Sequence, residues 1–307
     1  MIVPCYNEAA VLDRFYEVLR EKRGALDGYD LRLLFVDDGS ADETAAILER
    51  LAENDDRVQY ISFSRNFGKE AAMLAGLEHA GGDYIGFIDA DLQHSPDLIP
   101  DMLHAVDAEG YDVAACRRAD RKGESALKSV LSAAFYKVVN RMTDTYIDDG
   151  AQDYRIFTRQ VADAMLSMPE SNRFTKGIFS WVGFKTKWFV HENAERAAGE
   201  SKWSLTKLMR YALDGIIGYT DAPLKLPIGL SGVSFAAALA FLIVFIVKLC
   251  TGAEPSVYYA WLVLFGIFCV GAMTLAGVGI LGAYLARIYT EAKGRPRYIV
   301  RKTNIKK

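Results

Sequence analysis

Two long stretches of this chain contain no Asp, Glu, Lys or Arg: residues 226–247 and residues 255–286. They limit what it can fold into more than any other feature. At 1.5 Å of rise per residue, a helix over the first spans roughly 33 Å and one over the second is longer, against about 30 Å of hydrocarbon in a bilayer. Helices buried in a soluble core seldom run uncharged for so long. Gly266, Gly271, Gly277, Gly279 and Gly282 would weaken a helix in water, whereas in lipid they permit close helix packing. The connector, residues 248–254, is short, which predicts a transmembrane hairpin. Arg287, Lys293, Arg295, Arg297, Arg301, Lys302, Lys306 and Lys307 crowd the C-terminal end against Glu291 alone. The positive-inside rule puts that end in the cytoplasm, and two crossings return residues 1–225 to the same side. The expectation is a two-span protein of the plasma (inner) membrane, with a cytosolic head over 1–200, an amphipathic juxtamembrane helix over 201–225, the hairpin over 226–286 and a basic cytosolic tail over 287–307.

The head reads as an α/β domain. Short apolar runs at 2–4, 31–37, 58–63, 84–88 and 112–115 alternate with helical patterns at 9–22, 43–51, 69–79 and 96–108. Asp42 and Ser95 stand where helix caps are expected. Such alternation predicts a Rossmann-like, mostly parallel sheet with flanking helices, whose ligands bind at the carboxyl ends of the strands. Polar clusters fall at three of those ends: Tyr6-Asn7-Glu8, Asp37-Asp38-Gly39-Ser40 and Asp89-Ala90-Asp91. No G-x-G-x-x-G follows the first strand, which argues against a dinucleotide-binding dehydrogenase. Further on, apolar residues recur at helical spacing from Leu127 to Met142 and from Leu205 to Ile217, flanked by Lys128, Lys137, Arg141, Lys202, Lys207 and Arg210. These are expected to be amphipathic interfacial helices.

Composition serves mainly to exclude. A net charge of −3 and a pI near 5.9 make no case for a nucleic-acid partner. Cys5, Cys116, Cys250 and Cys269 have neither metal nor disulfide spacing, which suits a reducing, cytosol-facing protein. Residues 2–4 lead straight into Pro4-Cys5-Tyr6-Asn7-Glu8, so no secretory signal is expected.

Asp89 and Asp91, one residue apart at the end of an apolar run, offer an oxygen-only seat for a hard divalent cation. Mg²⁺ and Mn²⁺ sites of this kind commonly use one or two carboxylates and are completed by substrate phosphates. A pair of solvated turn residues is the simpler alternative for Asp-x-Asp in isolation.

The motifs PCYNE (4–8), VDDGSADET (36–44), SRNFGKEAA (64–72), DADLQHSP (89–96), AQDYRIF (151–157), RAAGESKWS (196–204) and GILGAYLARIYTEAKGRPRYIV (279–300) span the chain in order. Together they resemble the family 2 glycosyltransferases of GT-A fold. The branch is the one acting on polyprenyl phosphates, nearest the bactoprenol glucosyltransferases, with dolichyl-phosphate mannose synthases as more distant relatives. The chain departs from that pattern twice. Met1 stands directly before Ile2-Val3 and the first motif, where the family carries a few more residues of strand, and Ala283 stands where relatives usually carry Glu.

The resemblance implies an enzyme that moves a sugar, with inversion, from a nucleotide donor to a membrane polyprenyl phosphate at the cytoplasmic face. UDP-glucose is the leading donor, and GDP-mannose or a UDP-N-acetylhexosamine the alternatives. Pro4, Tyr6, Glu8, Asp37, Asp38, Lys69 and Asp89 would bind the nucleotide. Asp91, with Asp89 beside it, would hold Mg²⁺ or Mn²⁺. Asp153 is the family's candidate base, although an acceptor phosphate whose second pKa is about 6 has little need of one. Arg117, Arg121, Lys128, Ser132, Arg196 and Lys202 are candidates for the acceptor phosphate. The family also implies a homo-oligomer. A processive polysaccharide synthase is disfavoured because Ile156, not Trp, follows Gln152-Asp153-Tyr154-Arg155. A non-catalytic membrane scaffold would leave Asp89, Asp91 and Asp153 unexplained.

Overall fold

β2 (Leu33–Asp37) is buried at every position, and β1 (Ile2–Cys5) at all but Pro4. A strand apolar on both faces belongs in the middle of a sheet covered by helices. That is where the computed structural model places them; it describes residues 1–24, 26–118, 150–168, 170, 173–191, 222–250 and 257–306. β1 pairs in parallel with β2 on one side and with β4 (Tyr84–Phe87) on the other, and β3 (Val58–Phe63) continues in parallel beyond β2. The sheet of eight runs β7-β5-β6-β4-β1-β2-β3-β8. β6 (Ala151–Thr158) is antiparallel to both β4 and β5 (Val113–Arg118), and β7 (Thr186–His191) is parallel to β5. The predicted mostly parallel α/β sheet is therefore present.

α1 (Leu12–Arg23), α2 (Thr44–Asn54), α3 (Lys69–His79) and α4 (Ile99–Asp107, preceded by a 3₁₀ turn at Pro96–Leu98) match the expected helices within a few residues. Asp42 accepts from Thr44 N at 3.0 Å at the start of α2, and Ser95 caps the 3₁₀ turn through Asp97 N at 3.3 Å. α3 lies close on the sheet. A Cβ at Gly76 would come within 2.2 Å of Ile2 Cγ2, so the absence of a side chain there sets the approach of the helix to β1. α5 (Arg159–Leu166) and α6 (Thr175–Trp181) follow β6.

The C-terminal segment, expected as a basic tail, contains a strand. β8 (Val300–Thr303) adds an antiparallel edge strand to β3. Tyr298 stacks on Phe63 with ring centroids 4.9 Å apart, and Asn304 accepts from Tyr60 N at 2.8 Å. Residues 295–307 accordingly belong to the same compact unit as the head, while residues 216–294 form a second unit.

In that second unit, α7 (Ala222–Cys250) and α8 (Val257–Ala292) contain candidate spans, Pro227–Val244 and Leu262–Ala292, with mean hydropathies of 2.1 and 2.2. Both leave their large apolar side chains outward; Phe268 is 74 % exposed. A surface that apolar is stable in lipid and a liability in water. The glycines of α8 divide. A Cβ at Gly277 would meet Pro227 Cβ of α7 at 3.2 Å, whereas Gly266, Gly271, Gly279 and Gly282 have nothing within 4 Å. The expected interfacial helices from Leu127 to Met142 and Leu205 to Ile217 lie outside the described residues.

Candidate active site

The strand order reverses at β1, where β2 and β3 lie on one side and β4 on the other. A crevice opens at such a point in an open α/β sheet. The loops at its rim are tied to one another. Asn7 N donates to Ser40 Oγ and Ala41 N to Asn7 Oδ1, both at 2.9 Å, and Glu8 N donates to Thr44 Oγ1 at 2.9 Å. Tyr6 is 37 % exposed, while Pro4 and Glu8 are half-buried.

Asp37 and Asp38 hold this rim from below. Asp37 is fully buried and accepts from Ser40 N at 2.9 Å and from Ser62 Oγ at 2.6 Å, which ties the turn after β2 to β3. Asp38 accepts from Phe67 N at 2.6 Å and Gly68 N at 2.8 Å. Burial pushes the Asp38 carboxyl above its ordinary value, and those two backbone N–H groups oppose the rise. Gly39, between Ser40 and these aspartates, has φ +66° and sits where a Cβ would strike the Arg65 backbone at 2.3 Å. The two loops touch closely only because that position is glycine.

By fixing the backbone of residues 67 and 68, Asp38 also places the first residue of α3, Lys69. Its Nζ lies 2.7 and 2.9 Å from the two oxygens of Asp89 and 2.7 Å from Asp153 Oδ2. Asp89 comes from the loop after β4 and Asp153 from the neighbouring β6, so a single ammonium joins two sheet elements. Desolvation in the crevice disfavours the Lys69 charge, yet the attraction of Asp153 and Asp89 outweighs it and holds its pKa above the ordinary lysine value. For Asp153, burial favours the neutral acid, but the charges of Lys69 and then Lys176 overcome this and keep the carboxyl below the ordinary range. Asp153 is a carboxylate at neutral pH and a weak base.

A further layer supports this cluster. Lys176 Nζ donates to the Ala151 carbonyl at 2.7 Å, two residues before Asp153. Burial lowers the Lys176 pKa, opposed by Asp153. Glu70 accepts from Thr175 N at 3.0 Å and from Thr175 Oγ1, which joins the start of α3 to the start of α6. None of these three, Glu70, Thr175 or Lys176, was expected from sequence. Glu70 at least falls within the 64–72 motif, but Thr175 and Lys176 belong to no motif, and only the packing of α6 against β6 brings them in.

The loop of residues 89–96 turns on local contacts. Asp91 Oδ1 accepts from Gln93 N at 3.1 Å. His94 is buried with Nε2 4.0 Å from Asp89 Oδ2, its ring 5.3 Å from that of Tyr154, whose hydroxyl donates to the Ser95 carbonyl at 3.3 Å. Among the described residues no three His, Cys, Asp or Glu side chains form a metal cage. The donors expected from sequence, Asp89 and Asp91, are both carboxylates, a chemistry that suits a hard cation sharing its coordination with a ligand's phosphates. Of the acceptor candidates, Arg117 is on β5, register-paired with Ala151 of β6. Arg121, Lys128, Ser132, Arg196 and Lys202 lie outside the described residues.

Comparison with known proteins places the chain in a family. Residues 1–166 match the model of "Glycosyl transferase family 2". The SfII prophage-derived bactoprenol glucosyl transferase of Shigella flexneri is 38 % identical over 309 residues, covering 99 % of this chain and 97 % of that protein. CsbB of Bacillus subtilis (strain 168) is 38 % identical over 306 residues, covering 99 % and 92 %. Among solved structures, glucosyl-3-phosphoglycerate synthase from Mycobacterium tuberculosis, in complex with Mn²⁺, uridine-diphosphate-glucose and phosphoglyceric acid, aligns over 70 % of this chain and 76 % of its own, with a TM-score of 0.48 and 18 % identity. With a family match over more than half its length and relatives aligned nearly end to end, the chain belongs to glycosyl transferase family 2.

Proposed function

We propose that this protein transfers glucose from UDP-glucose to the phosphate of a membrane polyprenyl phosphate at the cytoplasmic face, inverting the anomeric centre. The observation that carries the reading is the Lys69–Asp89–Asp153 cluster at the sheet's switch point. The 38 % identity to a named bactoprenol glucosyl transferase, aligned almost end to end, supports the choice of sugar and acceptor.

In this reading Pro4, Tyr6 and Glu8 line the base and ribose site, with Asp37 and Asp38 holding its floor through the contacts described above. Asp91 and Asp89 would hold Mg²⁺ or Mn²⁺. The bound cation supplies Lewis-acid neutralisation of the departing nucleoside diphosphate. An oxygen of the acceptor phosphate forms the new bond to the anomeric carbon as the bond to UDP breaks, and UDP leaves with that electron pair. The acceptor phosphate is already ionised near neutral pH, and Asp153 is a weak base. Asp153 therefore acts by orientation, with Lys69 and Lys176, and takes up no proton. Arg117, Arg121, Lys128, Ser132, Arg196 and Lys202 would neutralise the acceptor phosphate, Arg117 from the strand beside Asp153.

The test is transfer by the purified protein from a panel of nucleotide sugars to polyprenyl phosphate, with Mg²⁺, with Mn²⁺ and with EDTA. UDP-glucose should be the best donor and EDTA should abolish transfer. Asp91→Asn should lower turnover about a hundredfold or more while the circular dichroism spectrum is unchanged. Undiminished transfer in EDTA would reject the metal assignment, and a better mannose or N-acetylhexosamine donor would reject glucose.

A further inference from the structure

Asp89 and Asp153 belong to different elements, yet each has an oxygen 2.7 Å from the Lys69 Nζ. Those two oxygens are thus no more than about 5.4 Å apart, twice the 2.7 Å contact. Two carboxylates that close repel strongly unless a cation lies between them. Lys69 is that cation, and it engages both oxygens of Asp89, one of the two carboxylates available to a metal. Its side chain is 42 % exposed, so it is not locked in place by packing. It springs from the first residue of α3, whose preceding Gly68 has φ +101° and whose backbone Asp38 pins. The backbone beneath it is fixed by hydrogen bonds, while the side chain is held by ion pairs that a competing anion could replace.

From this we infer that Lys69 is a built-in counter-ion that stands in for the divalent cation when no donor is bound, so that the metal enters together with the nucleotide diphosphate and not ahead of it. The inference rests on the metal-dependent reading given above. The physical argument is one of charge. With Lys69 bound, the seat offers a free divalent ion Asp89 already neutralised and an ammonium within a few ångströms. A diphosphate changes that balance, since its oxygens provide new ligands for the metal and a new partner for the lysine. Lys69 then exchanges a carboxylate for a phosphate and keeps its charge compensated throughout.

The experiment measures Mn²⁺ binding by the full-length protein in detergent, from the electron paramagnetic resonance signal of free aqueous Mn²⁺, with and without UDP. Lys69→Gln and Lys69→Met are compared with wild type, and thermal melting checks that each is folded. Removing one nearby positive charge should tighten nucleotide-free Mn²⁺ binding about tenfold, while Lys69→Arg stays close to wild type. The gain from adding UDP should shrink in the neutral variants. Mn²⁺ binding without UDP that is unchanged or weaker in Lys69→Gln would overturn the inference while leaving the metal-dependent reading intact, provided that UDP still recruits Mn²⁺. Failure of Mn²⁺ to bind any of the proteins, even with UDP, would overturn both. Unfolding of both neutral variants would mark the ion pairs as structural and likewise overturn the role proposed for Lys69.

Discussion

At the scale of single residues, the site depends on carboxyl groups that look alike in sequence and differ in duty. Asp37 is spent on Ser40 and Ser62, Asp38 on the backbone of Phe67 and Gly68, and Asp89 and Asp153 on Lys69. Glu70 differs again. Burial, opposed by hydrogen bonds from Thr175 and reinforced by Asp153, pushes its carboxyl up from 4.5 to about 7. Between those values the folded chain keeps a proton that the unfolded chain has released. Stability therefore falls as pH rises through that window, by on the order of 3 kcal/mol for this one group. Glu70→Gln removes the titration. Its melting temperature should fall less than that of wild type between pH 5 and pH 8, and an equal fall in both would show that Glu70 does not titrate there. Asp37, Asp38 and Asp89 were legible in the sequence because strand ends in an α/β sheet are where such groups serve ligands, whereas Asp153, inside β6, was legible only through the family resemblance. Glu70 was not, because its altered acidity arises from burial that only folding creates, where its hydrogen-bond partner is Thr175, more than a hundred positions away.

Among the elements, β1 to β4 and α1 to α4 were readable, since strands buried on both faces leave uninterrupted apolar runs and their crossover helices leave a period of three to four. β8 was not. Val300, Arg301, Lys302 and Thr303 are all exposed, and a run with two adjacent cations carries no strand signal. Its conformation is imposed by the open edge of β3, whose unpaired backbone groups it satisfies. Its docking should depend more on the aromatic contact than on charge. Tyr298→Ala, which removes the stack on Phe63 and the hydrogen bond to Glu78, is expected to cost about 1–3 kcal/mol. Lys302→Ala removes an ion pair to Glu49 with the lysine side chain 57 % exposed and should cost less than about 1 kcal/mol. Denaturant unfolding of the detergent-solubilised protein ranks the two, and the reverse order would mean that β8 is held by charge.

For the whole molecule, the two-unit division has a topological consequence. The chain departs from the head before α7 and rejoins the same unit from Arg295 onward. If α7 and α8 each cross a membrane, both ends of the hairpin must emerge on one side, because a single folded unit cannot straddle a bilayer. By the positive-inside rule the expected side is the cytoplasm. A cysteine introduced at position 255, with Cys250 and Cys269 replaced, should react with an impermeant maleimide in intact cells, while one at Lys306 should not. Cys5 and Cys116 can remain, since both are buried. Labelling at 306 and protection at 255 would invert the orientation. By itself, the sequence determined the quantities that are sums along the chain: two spans long enough for a bilayer, a cationic C-terminal end, an alternating α/β head, and polar clusters at three strand ends. Only the tertiary structure decided which groups meet. It joined Lys69 to Asp89 and Asp153, brought α6 under Asp153 through Thr175 and Lys176, and took residues 300–303 into the sheet. The physical reason is range. Hydrophobic periodicity and charge bias are local and survive in one dimension, whereas an ion pair between residues 69 and 153, or an edge strand recruited from residue 300, exists only once the sheet has set the distance between them.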